Sequence, residues 1–233
     1  MRRSLGFTRL LPIPEVEGVR VTAPAVPLRG ISNDSAFLNS LIDQTPGPVL
    51  AVGHSYGGAV ITNAATDADN VVVLVFVSAF APDEGERLGE IEDGSKDSVL
   101  NAALMPLNYP TGEGQQTAAE FAVDPEKFHD AFAADLPEEQ AAVMAATQRP
   151  VAEAAFSEPN GEPAWKKLPS WAVVARADKA AGTDVVRSMA ERAGATITEA
   201  EGSHVIMVSR PQFVADVILT VVAAALQNKS KRS

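Results

Sequence analysis

Val49-Leu50-Ala51-Val52 and Val71-Val72-Val73-Leu74-Val75-Phe76-Val77 are apolar without interruption. A continuous β-branched run, unlike an alternating one, suits a strand covered on both faces, as in a parallel sheet. Between them, Ala59-Val60-Ile61-Thr62-Asn63-Ala64-Ala65 predicts a helix whose small residues let it pack closely on that sheet. The alternation extends in both directions. Val19–Ala23 predicts a strand and Asn33–Asp43 a helix; further on, Trp171–Ala175 predicts a strand, Asp184–Ala193 a helix, Ala195–Thr198 a strand, and Gln212–Leu226 a closing helix with Pro211 near its start. Strands alternating with helices imply βαβ units and an α/β class with a mostly parallel sheet.

From Pro82 to about Leu168 the strand signal stops. Helix-like segments such as Glu138–Gln148 are separated there by Pro, Gly and charged residues, which predicts a helical cap inserted at 82–168 within one domain spanning 1–233. Gln227–Ser233 is polar and basic and reads as a frayed tail.

Composition narrows the function classes. At 233 residues and 46% hydrophobic content the chain can bury a sizeable core. The formal net charge of −11 argues against nucleic acid and anionic membranes as partners. There is no cysteine, which removes disulfides, thiolate metal sites and cysteine nucleophiles together. Met1-Arg2-Arg3 is basic, but Arg9, Pro12, Pro14 and Glu15 interrupt the residues after it, so no secretory apolar region is expected and a cytoplasmic location is. The amphipathic Leu219–Leu226 segment is too short to span a bilayer.

The chemistry concentrates at Gly53-His54-Ser55-Tyr56-Gly57-Gly58, between an expected strand and an expected helix. A serine at such a reversal sits in a strained backbone conformation, tolerable when residues two before and two after it lack bulk, as Gly53 and Gly57 do. Its hydroxyl then stands clear of the sheet as a nucleophile. Backbone N–H groups at the start of the following helix, that of Tyr56 first, point toward an oxygen that becomes negative during acyl transfer. The bland alternative is a glycine-rich turn that merely packs helix on strand.

Serine needs a base, and the chain has three histidines. His54 precedes the serine on its turn, and His129 lies in Glu126-Lys127-Phe128-His129-Asp130, where a solvated helix face is expected. His204 follows the Ala195–Thr198 strand on a loop and is the expected base. The acid that fixes its tautomer should lie at the carboxyl end of another strand. Asp178, two residues beyond Arg176 after the Trp171–Ala175 strand, fits and gives the order Ser55, Asp178, His204; Asp83, after the Val71–Val77 strand, is the competitor.

With these residues in place the chain resembles the α/β-hydrolase superfamily, and within it small bacterial esterase-like members related to plant methyl esterases and hydroxynitrile lyases. The resemblance runs from about Val19 to Leu226. It rests on Val21-Thr22-Ala23-Pro24 with Pro27-Leu28-Arg29-Gly30, on the Gly53–Gly58 segment, on Phe80-Ala81-Pro82-Asp83-Glu84-Gly85-Glu86, and on Ser203-His204 ahead of Ser209-Arg210-Pro211. It implies an α/β-hydrolase fold with Ser55 as nucleophile, Asp178 as acid, His204 as base, no cofactor, no metal, and a small-molecule ester as substrate.

One feature of the resembled family is missing. Its members open with an apolar strand ending in His-Gly, which lies beside the strand entering the serine turn and donates a second oxyanion N–H. Met1–Gly18 reads instead as a remnant of the following helix, or Leu5–Leu11 as a makeshift strand, so the fold is expected to be truncated at its amino terminus. Either an unfilled slot between Val19–Ala23 and Val49–Val52 or a poorly packed Met1–Gly18 is the expected consequence. Three activities remain open: ester hydrolysis, a lyase reaction on a small hydroxylated substrate, and ligand binding with impaired catalysis. The loss of one oxyanion donor, about 2.7–4 kcal/mol, is what makes the third a contender.

Overall fold

The computed structural model describes residues 12–13, 18–112 and 114–230, and side chains as far as residue 227. Helix α1 (Ile31–Asp43) leads through a turn into β1 (Val49–Ser55), α2 (Gly57–Ala64) and β2 (Val71–Ala79). After a long intervening segment come β6 (Ser170–Ala175), α8 (Thr183–Arg192), β7 (Thr196–Ala200), the short α9 (Ile206–Ser209) and α10 (Pro211–Ser230). The strands β1, β2, β6 and β7 pair in that order, all in parallel.

Alternation along the inner strands divides the core into two layers. Leu74 and Phe76 of β2, with Ala172 and Val174 of β6, pack against α1, α2 and α8. Val73, Val75 and Val77, with Val173 and Ala175, face the opposite layer, which includes Val214, Ile218 and Val221 of α10. Both faces are therefore covered, which is why these strands read as unbroken apolar runs.

The segment between β2 and β6 is only partly helical. It contains α3 (Leu88–Asp93), α4 (Leu100–Ala103), α5 (Pro125–Phe132), α6 (Glu138–Thr147) and α7 (Ala154–Ser157). It also holds a three-stranded antiparallel sheet of β3 (Leu104–Pro110), β4 (Thr117–Val123) and β5 (Val151–Ala152), where no strand was expected. Pro106 and Pro110 in one strand, and three alanines in the other, hide the pattern.

Two other expectations are corrected. Val19–Ala23 is not a strand: it is irregular, although its burial alternates residue by residue, because it has no ladder partner among the described residues. The carboxyl-terminal helix runs on to Ser230 instead of fraying after Leu226, since no Gly or Pro stops it. The makeshift strand expected over 5–11 lies outside the described residues, as does most of the remnant helix expected over 1–18; of the latter, 12–13 are described as helical, with Ile13 packed on the second core layer, and Gly18 as a turn. Among the described residues β1 has β2 on one edge and no strand on the other. That edge and residues 18–26 both line a cleft of about 2600 Å³. No helix of the described residues is long and apolar enough to cross a membrane.

Candidate active site

Ser55 ends β1 with φ of +54°, in the left-handed region that a residue with a side chain occupies only under constraint. The constraint is the immediate start of α2 and a ladder shift between His54 and Ser55, whose partner on β2 is Ala79. Glycine is needed here at two places, and one differs from expectation. A Cβ on Gly53 would lie 2.5 Å from the Gly57 carbonyl oxygen, and one on Gly58 would lie 2.2 Å from the Phe80 carbonyl oxygen. A Cβ on Gly57 would meet nothing within 4 Å. The backbone approach that demands glycine after the serine is thus at 58, three residues on.

Tyr56, which caps α2, is held from below. Its hydroxyl donates to Asp34 Oδ2 at 2.9 Å, and the Arg29 N–H donates to the same carboxylate. Burial, then the negative charge of Asp34, pushes the Tyr56 phenol well above its ordinary range, so it stays a donor. The sequence gives Asp34 no motif; its position in the first turn of α1, buried beside Ser35 while Ser32 and Asn33 are exposed, becomes visible only once α1 meets α2.

Asp178 and His204 come together at the carboxyl ends of β6 and β7. Both are 1% exposed. The His204 Nδ1–H donates to the Asp178 carboxylate at 2.9–3.0 Å, and the Ala180 and Ala181 N–H groups each donate to Asp178 Oδ1 at 3.0 Å. With Nδ1 as donor, the neutral ring presents a bare lone pair at Nε2. That nitrogen is buried and has no partner among the described residues, so it is not hydrogen-bonded to Ser55 in this state. Asp83 is elsewhere, ion-paired with Lys166 at 2.5 Å, which holds its carboxyl below the usual range.

The other two histidines have structural partners. His54 Nε2–H donates to the His204 carbonyl at 2.9 Å, and the two rings stand 4.5 Å apart. Burial, followed by the neighbouring His204, holds the His54 pKa down to about 3, so it is neutral at ordinary pH. His129, expected on a solvated face, is half-buried and hydrogen-bonded to the Leu136 carbonyl at 2.8 Å.

Two further contacts reach Ser203 and His204 from the segment between β2 and β6, and no sequence pattern announces either. Phe132 of α5 stands edge-on to the His204 ring at 4.6 Å, and Asp135 accepts the Ser203 hydroxyl at 2.5 Å. Ser55 lines the 2600 Å³ cleft with Phe80, Leu88, Leu100, Phe128 and Phe132. Among the described residues no cluster of His, Asp or Glu could hold a metal ion.

A parallel sheet whose strand ends bring a strained serine turn and a histidine–aspartate pair to the same side defines a hydrolase of the α/β type. In keeping with that, residues 6–217 match the model of the alpha/beta hydrolase family, and the chain belongs to this family. It is 37% identical over 81 residues to the lipase LipV of Mycobacterium tuberculosis, a match that spans 34% of the chain and 31% of that lipase. The fold is shared with polyneuridine aldehyde esterase, at a TM-score of 0.77 and 20% identity with 93% of each chain covered. It is also shared with a pyrethroid hydrolase from Sphingobium faniae, at a TM-score of 0.77 and 21% identity over 97% of this chain and 94% of that one.

Proposed function

We propose that the protein is a serine esterase acting on a small, largely apolar carboxylic ester. The observation that carries this reading is the pairing of a positive-φ serine at the β1–α2 turn with a buried histidine whose Nδ1 is already committed to Asp178. His204 Nε2 takes the Ser55 proton as Oγ attacks the ester carbonyl. The Tyr56 N–H stabilises the oxyanion, and the C–O bond breaks as His204 returns the proton to the departing alcohol. Water, deprotonated by His204, then cleaves the acyl-enzyme. Residues 82–168 act as the cap, with Phe128 and Phe132 giving the cleft its apolar wall.

Ligand binding without turnover is the second reading, favoured by the unpartnered His204 Nε2. Turnover of short p-nitrophenyl esters that Ser55→Ala abolishes supports the esterase; tight ester binding with no turnover supports the alternative. The names of the relatives, a lipase, an esterase and a pyrethroid hydrolase, are in keeping with the first reading.

A further inference from the structure

Glu92 sits on α3 at 3% exposure, on the same helix face as Leu88 one turn earlier. A buried carboxylate ordinarily has a cation or several N–H donors around it. Among the described residues Glu92 has no Lys or Arg partner, and its Oε2 makes no hydrogen bond. Its Oε1 meets the Ser98 hydroxyl. The ionisable groups facing it are Asp93 on its own helix and Asp178 and His204 across from it.

Proton counting at Ser98 defines the state of this carboxyl. A hydroxyl has one proton and two lone pairs. Ser98 Oγ lies 2.7 Å from the Ala180 carbonyl oxygen, which can only accept, and it receives the Leu100 N–H at 3.1 Å. The single Ser98 proton therefore goes to Ala180, and the proton between Ser98 and Glu92 comes from Glu92. An ionised Glu92 would claim the Ser98 proton, leave the Ala180 carbonyl against a bare lone pair, and bury an uncompensated charge near Asp178. Burial pushes the Glu92 pKa up to about 7, in the same direction.

Ala180 belongs to the turn that aims the acid. Its N–H and that of Ala181 hold Asp178 Oδ1, and the Val99 N–H donates to the Lys179 carbonyl at 2.8 Å. The 95–100 segment is thus fastened along the Asp178 turn, with Ser95 Oγ donating to Asp184 Oδ1 at 2.6 Å. We infer that Glu92 is a positioning residue: as a neutral acid it keeps the Ser98 hydroxyl on the Ala180 carbonyl and so holds the turn that presents Asp178 to His204. This rests on the roles proposed above for Asp178 and His204. Its ionisation turns the Ser98 proton away from Ala180, loosens the turn and slows the reaction on the alkaline side.

The test compares the parent with Glu92→Gln and Glu92→Ala. The amide of Gln donates to Ser98 as the acid does and never ionises. The downfield proton resonance of the His204–Asp178 hydrogen bond is followed by NMR from about pH 5 to about pH 9. In the parent it should broaden with a midpoint near 7, the value burial gives Glu92. In Glu92→Gln it should persist throughout. In parallel, kcat/KM on a p-nitrophenyl ester should fall above that midpoint in the parent and not in Glu92→Gln, while Glu92→Ala is about tenfold slower at every pH. Superimposable proton signals in parent and Glu92→Gln overturn the inference whether or not ester is cleaved. The expected proton signals with no ester turnover support it and overturn the esterase reading instead.

Discussion

Strands β1 and β2 are written in the same apolar alphabet and end up in different surroundings. β2 is buried at eight of its nine positions, whereas β1 is fully buried only at Ala51 and Gly53. The difference lies in their neighbours: β2 has a parallel strand on either side, and β1 has one among the described residues. An apolar run therefore predicts that a strand forms, and the strands beside it decide how much it buries. Asp178 follows β6, which has a strand on either side, and His204 follows β7, which like β1 has one neighbour among the described residues; the two side chains share a dense hydrogen-bond network, while Ser55 at the end of β1 lines the cleft.

The largest effects should come from removing either side of the proposed proton transfer from Ser55 to His204. Ser55→Ala and His204→Ala should each lower kcat on p-nitrophenyl esters by on the order of 10⁵–10⁶, with the circular dichroism spectrum retained, because the residues act as a unit. Asp178→Asn should cost about 10⁴, since an amide cannot hold the required imidazole tautomer. Asp83→Asn, which breaks only the pair with Lys166, should leave kcat within about twofold of the parent. If Asp83→Asn is the damaging change, the acid has been assigned to the wrong strand.

Stability should show the contrast between inner and outer strands directly. Leu74→Ala, at a fully buried position of β2, should cost about 2–5 kcal/mol in urea unfolding. In native-state hydrogen exchange, β1 amides that point away from β2 should exchange well before those of β2. Equal protection of both β1 edges would show that the outer edge is paired.

Smaller effects probe the serine turn. Gly58→Ala drives a Cβ into the Phe80 carbonyl and should destabilise by about 1–3 kcal/mol, whereas Gly57→Ala, with open space around it, should be neutral or stabilise by up to about 1 kcal/mol. Thermal midpoints of the two variants check this, and the reverse order would contradict the geometry. Glu92 supplies a pH dependence. Its folded-state pKa is raised from 4.5 to about 7, so the stability it confers is full below about 4.5 and is lost as pH rises toward 7. The Glu92→Gln variant should gain on the parent across that window, by at most about 3 kcal/mol.

These contrasts also mark what could be read from the sequence. The inner strands were legible because burial on both faces forces an unbroken apolar run, and the strand–helix turn at Ser55 and the pairing of Asp178 with His204 were legible because the turn pattern and a scarcity of histidines limit the choices. Val19–Ala23 was over-read, since its residues suit a strand but a ladder needs a neighbour the local sequence does not supply. Strands β3 and β4 were missed because prolines and alanines carry little strand signal. The approach of Gly58 to Phe80, the contacts of Phe132 with His204 and Asp135 with Ser203, and the tie from Glu92 through Ser98 to the Asp178 turn were not legible, because each joins segments distant in the chain.

The proposed chemistry stands or falls on Ser55 forming the acyl-enzyme. Intact-protein and peptide mass spectrometry after treatment with a fluorophosphonate, alongside residual ester turnover, interrogates that residue itself. The expected result is a single adduct on the peptide carrying Ser55, complete loss of turnover at one equivalent, and no adduct in Ser55→Ala. Continued ester turnover with Ser55 unmodified, or an inactivating adduct on another residue, would contradict it.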